Sequence, residues 1–266
     1  MPYVHGYAER ESVRLEDQAE TLADLLHCDT KYSAGSLILE AGCGVGSQTV
    51  SLASNSPDAK IISVDISESS LSEAKKRIQA AGYQNVSFQK EDILNLTFKE
   101  KSFDHIFVCF VLEHLANPSK ALNCLKKLLK PGGTITVIEG DHGSAYFYPD
   151  SIQAHKAVSC QAELQRAAGG NPNIGRELYP LLKQTGFKKI NVSPRMIYAD
   201  SSKPSLVEGF TKKTFTAMIE GIRMSAIEKN LIDEKTFDEG IKALYRTTEN
   251  DGVFCYTFFK AVAFNL

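Results

Sequence analysis

Short aliphatic runs alternate with longer segments whose apolar residues recur every three or four positions, and this alternation is regular between residues 36 and 140. Runs of the first kind predict buried strands at 36–41, 60–65, 85–90, 104–110 and 134–140. Segments of the second kind predict helices at 47–55, 68–81 and 118–130. Ser67 followed by an acid caps the second of these helices, and Gly82 ends it. Strand and helix in strict alternation imply an α/β fold, with a doubly wound, mostly parallel sheet built by right-handed crossovers.

The flanks are less regular. Residues 9–27 form a polar helix with apolar positions at Val13, Leu15, Ala19, Leu22, Leu25 and Leu26, after an aromatic-rich leader, Tyr3-Val4-His5-Gly6-Tyr7. Past Gly140 the stretch Asp141 to Pro149 reads as irregular and a helix follows at 151–168. Gly169-Gly170-Asn171-Pro172-Asn173 breaks the chain before a helix at 175–185 and an extended run at 187–198. Two helices are expected within 204–246, with faces that include Val207, Phe210, Met218, Ile219 and Ile222, then Phe237, Ile241, Leu244 and Tyr245. The last run, Val253 to Phe264, is aromatic and strand-like.

At 266 residues the chain suffices for one large domain. Lys plus Arg total 30 against 32 for Asp plus Glu, so no electrostatic footprint for nucleic acid is expected. The six cysteines lack C-x-x-C spacing and several fall in strand-like runs, which predicts reduced core residues of a cytoplasmic protein and no metal site. Glu9, Arg10, Glu11, Arg14, Glu16 and Asp17 stand where a secretory leader would be apolar, and no run approaches membrane-spanning length, so membrane insertion is not expected.

Candidate chemistry gathers at two strand ends. Leu37-Ile38-Leu39 runs into Glu40-Ala41-Gly42-Cys43-Gly44-Val45-Gly46, and Ile61-Ile62-Ser63-Val64 ends in Asp65. Glycines allow a sharp turn and close approach of a ligand to the main chain, and an acid at the tip of the next strand can accept bonds from both ribose hydroxyls. The two runs therefore describe a nucleoside-binding crevice. A dinucleotide fingerprint would place its third glycine where Ser47 stands. A carboxylate at Glu40 disfavours a pyrophosphate on the helix N-terminus and suits a cationic ligand.

On these residues the chain resembles the class I S-adenosylmethionine-dependent methyltransferases, whose first motif, E/D-x-G-x-G-x-G, is matched by Glu40 to Gly46. The segments Glu91-Asp92-Ile93, Phe103 to Leu115 and Leu128 to Ile138 follow in that family's order. The resemblance implies a Rossmann-like seven-stranded sheet with an antiparallel last strand and helical cap insertions at about 145–175 and 200–250, and a lid helix within about 1–30. It implies S-adenosylmethionine as cofactor and S-adenosylhomocysteine as product. Asp65 then binds the ribose, Ile66 lies beside the adenine, Asp92 accepts the adenine amino group and Ile93 packs on the ring. Tyr7, Arg14, Glu40, Gly42, Cys43, Gly44, Gly46, Cys109 and Phe110 complete the expected cofactor set, with Arg14 meeting the methionine carboxylate.

Methyl transfer from a sulfonium needs mainly proximity, orientation and a dry site. His142 is the first candidate for a base, with Asp141 beside it, and a histidine bonding backbone at a strand end is the competing reading. His114, Tyr146, Tyr148 and Arg176 are candidate acceptor contacts. The N/D-P-P-Y/F tetrapeptide of many nucleic-acid methyltransferases is replaced by Cys109-Phe110-Val111-Leu112, so the expected acceptor is a small, partly apolar molecule. Within the superfamily the pattern is similar to the branch of quinone and sterol C-methyltransferases and natural-product enzymes. Two other classes stay open: a non-catalytic adenosyl-ligand-binding protein and a nicotinamide-dependent oxidoreductase. A monomer or a homodimer fits equally.

Overall fold

The computed structural model describes the chain from residue 9 onward; in the first helix it describes the side chains of Arg14 and of residues from 17. The expected cofactor contact Tyr7 lies outside the described residues. In chain order the elements are α1 (Glu9–His27), β1 (Leu37–Ala41), α2 (Ser47–Asn55), β2 (Lys60–Asp65), α3 (Glu68–Ala80), β3 (Val86–Lys90), β4 (Phe103–Cys109), α4 (Pro118–Leu128) and β5 (Leu129–Tyr148). They continue with α5 (Ile152–Ala167), α6 (Leu178–Gln184), β6 (Lys188–Ala199), α7 (Pro204–Leu206), a π-helix (Val207–Thr216), α8 (Ala217–Gly221), α9 (Arg223–Glu228), α10 (Glu234–Arg246) and β7 (Val253–Phe264).

The seven strands form one sheet in the order β3-β2-β1-β4-β5-β7-β6. β1 pairs in parallel with β2 and β4, β2 with β3, and β4 with β5. Gly132 N donates to Asn265 O at 2.7 Å while Asn265 N donates to Gly133 O at 2.9 Å, so the end of β7 meets the start of β5. Asn265 accepts from one residue and donates to the next one along β5, which only strands running in opposite directions allow, as the resemblance implied. The direction of progression reverses between β1 and β4, and such a switch point opens a crevice at the strands' carboxyl ends.

The chain divides into two compact units. One comprises Ala23–Gly140, Ile174–Arg195 and Phe258–Leu266; the other comprises Met1–Leu22, Asp141–Asn173 and Met196–Thr257. In the first, β-branched and aromatic residues of β4 and β5 (Phe103, Ile106, Val108, Ile135, Val137) are buried against Leu122, Leu125 and Leu128 of α4. These leucines fall on one face of α4 because they recur at helical spacing, and the helix begins where Asn117 accepts a bond from Lys120 N at 2.9 Å, with Pro118 in the first turn. α3 starts as expected, with Ser67 Oγ accepting from Ser70 N at 3.2 Å.

The structure corrects two expectations. The stretch after Gly140 is not irregular: β5 continues to Tyr148. Its polar residues hid the strand because they serve one another, Gly143 N donating to Asp141 Oδ1 at 3.0 Å and Thr257 N to Ser144 Oγ at 2.9 Å. The two helices expected within 204–246 are instead α7, the π-helix, α8, α9 and α10. The wider winding is visible in Thr214, whose hydroxyl donates to Gly209 O, five residues back, at 2.8 Å. In α10, Phe237, Ile241 and Leu244 are buried as the spacing implied. Among the described residues, no helix is long and apolar enough to cross a membrane.

Candidate functional site

The loop after β1 is shaped by its glycines. Gly42, Gly44 and Gly46 have φ of 83°, 53° and 79°, the left-handed region that side chains with a Cβ disfavour. A Cβ on Gly42 would fall 2.5 Å from Val111 Cγ2, in the turn after β4, so the two loops that flank the switch point touch here. A Cβ on Gly44 would meet nothing within 4 Å. Gly44 therefore faces open space, and a ligand can lie against its main chain.

Asp65 closes this loop from β2. Its Oδ2 accepts a bond from Gly44 N at 2.9 Å and its Oδ1 one from Ser67 N at 2.8 Å. Each carboxylate oxygen has a second lone pair, so the group can still accept two hydroxyls. Beside it Ile66 is 61% exposed, an apolar side chain left uncovered at the rim. Asp92 is exposed, with Oδ1 accepting from Leu94 N at 2.9 Å, and Ile93 is half-buried in the same turn. The ends of β2 and β3 thus present two carboxylates and two incompletely covered isoleucines, a residue set that fits a nucleoside.

Glu40 is fully buried. Its Oε2 accepts from Thr49 Oγ1 at 2.7 Å and from Ser63 Oγ at 2.6 Å. Burial pushes its carboxyl up to about 7, against the pull of these two bonds, and the nearby charge of Asp65 pushes the same way. Glu40 thus ties α2 and β2 to the loop and titrates near neutrality. Cys43 and Cys109 are buried with thiols raised above their ordinary value by desolvation first and then by neighbouring carboxylates, which makes them inert walls.

After β4 the chain turns through Phe110, a non-glycine residue at φ 56°, whose ring lies 5.5 Å from Phe258. Such backbone strain concentrates at ligand sites. The turn is held by Glu139 of β5, fully buried, whose Oε1 accepts from Val111 N at 3.1 Å and Leu112 N at 2.8 Å. Burial first, and then the Glu113 charge, raise its carboxyl well above the usual range. His114 is half-buried with Nε2 3.6 Å from Glu113 Oε1. Arg176 is exposed at the 3₁₀ turn that precedes α6.

In the other unit His142 is half-buried, and its Nδ1 lies 2.9 Å from the hydroxyl of Tyr256 on β7. Asp141 is buried, with Oδ1 serving Gly143 N. Tyr256 is packed by Phe210 and Phe215 of the π-helix, each with its ring 5.6 Å away. Phe147 stacks near Phe254 at 6.3 Å, whereas its neighbours Tyr146 and Tyr148 are 66% and 59% exposed on the opposite side of β5. Arg14 is buried and donates to Gln18 Oε1 at 3.0 Å.

Sequence reasoning missed Tyr256, Phe210, Phe215 and Phe147 as neighbours of His142, and Thr49 and Ser63 as partners of Glu40. The aromatic richness of Val253 to Phe264 is a trace of Tyr256, and Phe210 shows in the sequence only as part of an apolar helix face. Nor did sequence reasoning show that Glu139 holds the turn after β4.

Comparison with known proteins decides the family. A profile described as a methyltransferase domain matches residues 33–186, more than half of the chain. The chain belongs to this methyltransferase-domain family. An uncharacterized methyltransferase of Schizosaccharomyces pombe is 33% identical over 147 residues, 53% of this chain and 52% of that protein. A demethylmenaquinone methyltransferase of Symbiobacterium thermophilum is 31% identical over 112 residues, 41% of this chain and 45% of that one. The chain thus spans about half the length of these curated relatives. Among solved structures, a Haemonchus contortus phosphoethanolamine N-methyltransferase 2, bound to phosphomonomethylethanolamine and S-adenosylhomocysteine, shares the fold with a TM-score of 0.57 at 20% identity, covering 96% of this chain and 58% of that one. The family assignment matches the motif segment from Glu40 to Ile138, which lies wholly inside the matched residues.

Proposed function

We propose that this protein is an S-adenosylmethionine-dependent methyltransferase acting on a small, ring-bearing acceptor. The observation that carries the reading is Asp65, fixed by Gly44 N and Ser67 N with lone pairs left for two ribose hydroxyls. Gly42, Cys43, Gly44 and Gly46 hold the ligand against the main chain. Glu40 favours its cationic end, and Ile66, Asp92 and Ile93 take the adenine. Cys109 and Phe110 wall the crevice, and Arg14 meets the methionine carboxylate. A nicotinamide dinucleotide is disfavoured by the loop's spacing and by Glu40.

When bound, the sulfonium supplies an activated methyl carbon, which passes to the acceptor's nucleophilic atom while its former bonding pair stays on sulfur. The protein's own task is to hold that acceptor in line and dry. On the acceptor side, His142 and Asp141 supply polar contacts. His114, Tyr146, Tyr148 and Arg176 supply further contacts. The kinship with a demethylmenaquinone methyltransferase favours a quinol-like ring as first probe.

Calorimetric titration with S-adenosylmethionine, S-adenosylhomocysteine and NADH tests the reading. Saturable one-site binding of both adenosyl ligands is expected. Binding of NADH alone would revive the oxidoreductase class. Binding of the adenosyl ligands without turnover of any quinol, phenol or amine would leave the non-catalytic class.

A further inference from the structure

His27, the last residue of α1, is buried, with 2% of its surface exposed and its ring 5.8 Å from that of Phe107. Its Nε2 lies 2.6 Å from Oε1 of Gln48, in the first turn of α2. Its main-chain oxygen accepts a bond at 2.9 Å from Nδ2 of Asn55, the last residue of α2. Its Nδ1 is buried and has no hydrogen-bond partner among the described residues. Whichever ring nitrogen carries the proton, half of the imidazole's bonding capacity goes unused there, and burial keeps the ring neutral by lowering its pKa to about 4. A leucine would fill similar space without leaving a polar atom unsatisfied. Stability therefore does not explain a histidine at this position, and local costs of this kind are retained where function requires them.

We infer that His27 is a positioning residue for the cofactor loop: through Gln48 it fixes the first turn of α2, and with it the conformation of residues 42–46. This rests on the reading of that loop as the S-adenosylmethionine site given above. A loop with three glycines at positive φ has many accessible conformations, so its shape is set by its anchors. At the β1 end, Gly42 N and Cys43 N donate to Val64 O at 2.8 and 2.9 Å, and Gly44 N donates to Asp65. At the α2 end, Gly46 offers no side-chain cap, and the first turn is tied by Gln48 to His27 and by Thr49 to Glu40. The far end of α2 is held without the imidazole. There Tyr32 N donates to Ser56 Oγ at 3.0 Å and Asn85 Nδ2 to Ser56 O at 3.0 Å, while Asn55 uses only the main chain of His27. Loss of the imidazole thus releases the first turn of α2 and leaves the last one in place.

The test compares His27→Leu with His27→Gln by denaturant unfolding, by hydrogen–deuterium exchange and by calorimetric titration with S-adenosylhomocysteine. In His27→Leu the unfolding midpoint should equal or exceed that of wild type. Exchange across residues 42–48 should quicken while exchange across 50–58 stays the same. S-adenosylhomocysteine should bind about 3- to 10-fold more weakly, the effect of one hydrogen bond. His27→Gln places an amide where Nε2 stood and should restore slow exchange and most of the affinity. Wild-type exchange and affinity in folded His27→Leu overturns the proposal. So does a His27→Leu whose midpoint falls together with its affinity and which His27→Gln does not rescue, the behaviour of an ordinary core residue. If His27→Leu fails to fold, Gln48→Leu breaks the same bond from the α2 side and should quicken exchange across 42–48; no change there is equally fatal. Failure of wild type to bind S-adenosylhomocysteine would instead sink the cofactor reading, and the exchange measurement would still decide whether His27 holds the loop.

Discussion

Gly42 of the loop after β1 is pressed against Val111 of the turn after β4, so closely that a methyl group on Gly42 would sit 2.5 Å from Val111 Cγ2. With φ at 83° the residue is also in backbone territory that alanine tolerates poorly. Gly42→Ala should therefore cost about 2–4 kcal/mol of stability through strain and overpacking together. Denaturant unfolding measures it. The double variant Gly42→Ala, Val111→Ala should recover part of that loss, and a purely additive pair would show that the contact is not what makes glycine necessary.

Asp65→Ala should weaken S-adenosylmethionine and S-adenosylhomocysteine alike, by about 1.5–3 kcal/mol, since ribose is common to both. Because Asp65 also braces Gly44 and Ser67, the variant's fold should be checked by near-UV circular dichroism. Unchanged affinity in a folded protein would remove Asp65 from the ribose site.

Glu40 makes cofactor affinity depend on pH. Its carboxyl is pushed up to about 7 in the free protein, and a cation placed beside it favours the ionised form. Binding a sulfonium should then release protons. The preference for S-adenosylmethionine over the uncharged S-adenosylhomocysteine should grow as pH rises from 6 to 8, and Glu40→Gln should flatten the trend. Paired titrations at several pH values read this out.

The same group sets a slope in stability. Between the carboxyl's ordinary value of 4.5 and its folded value of about 7, the folded chain binds the extra proton. Glu40's contribution is therefore fully present below the lower value and is lost as pH rises through the upper one, a change on the order of 3 kcal/mol at most. His27, buried and lowered to about 4 by desolvation, works the other way, its contribution lost as pH falls below 6.5. Subtracting the Glu40→Gln curve from wild type should isolate the first effect. Parallel curves would show that Glu40 does not titrate in this window.

Lys260 should contribute to stability through a buried ammonium. Its Nζ, 3% exposed, donates to Leu26 O at 3.1 Å, Thr30 Oγ1 at 2.6 Å and Asp29 Oδ1 at 2.5 Å. Asp29 is 53% exposed and keeps a second partner, so Lys260→Ala strands mainly Leu26 O and Thr30 Oγ1 and should cost about 1–3 kcal/mol. Lys260→Met, which fills the volume, should cost less. Asp29 keeps Arg195 as a partner in both.

The sequence by itself determined the succession of strands and helices up to the start of β5, the glycine loop and the acid at the tip of β2. Each of these is written in residues a few positions apart: a short aliphatic run, glycines that can take positive φ, and a cap such as Ser67 before α3. Tertiary structure alone decided the rest. β5 runs on to Tyr148 because Ser144 and Thr257 meet across strands, which no local pattern announces. Five short elements replace two expected helices because residues 204–246 carry apolar positions compatible with several windings, and packing chooses among them, seating Gly209 against Thr21. One partner of His142, Tyr256, lies 114 positions away on β7, which no run of neighbouring residues announces. The titration of Glu40 depends on how completely the fold removes it from water, a property of the assembled interior and not of the E-x-G-x-G-x-G string that announced it.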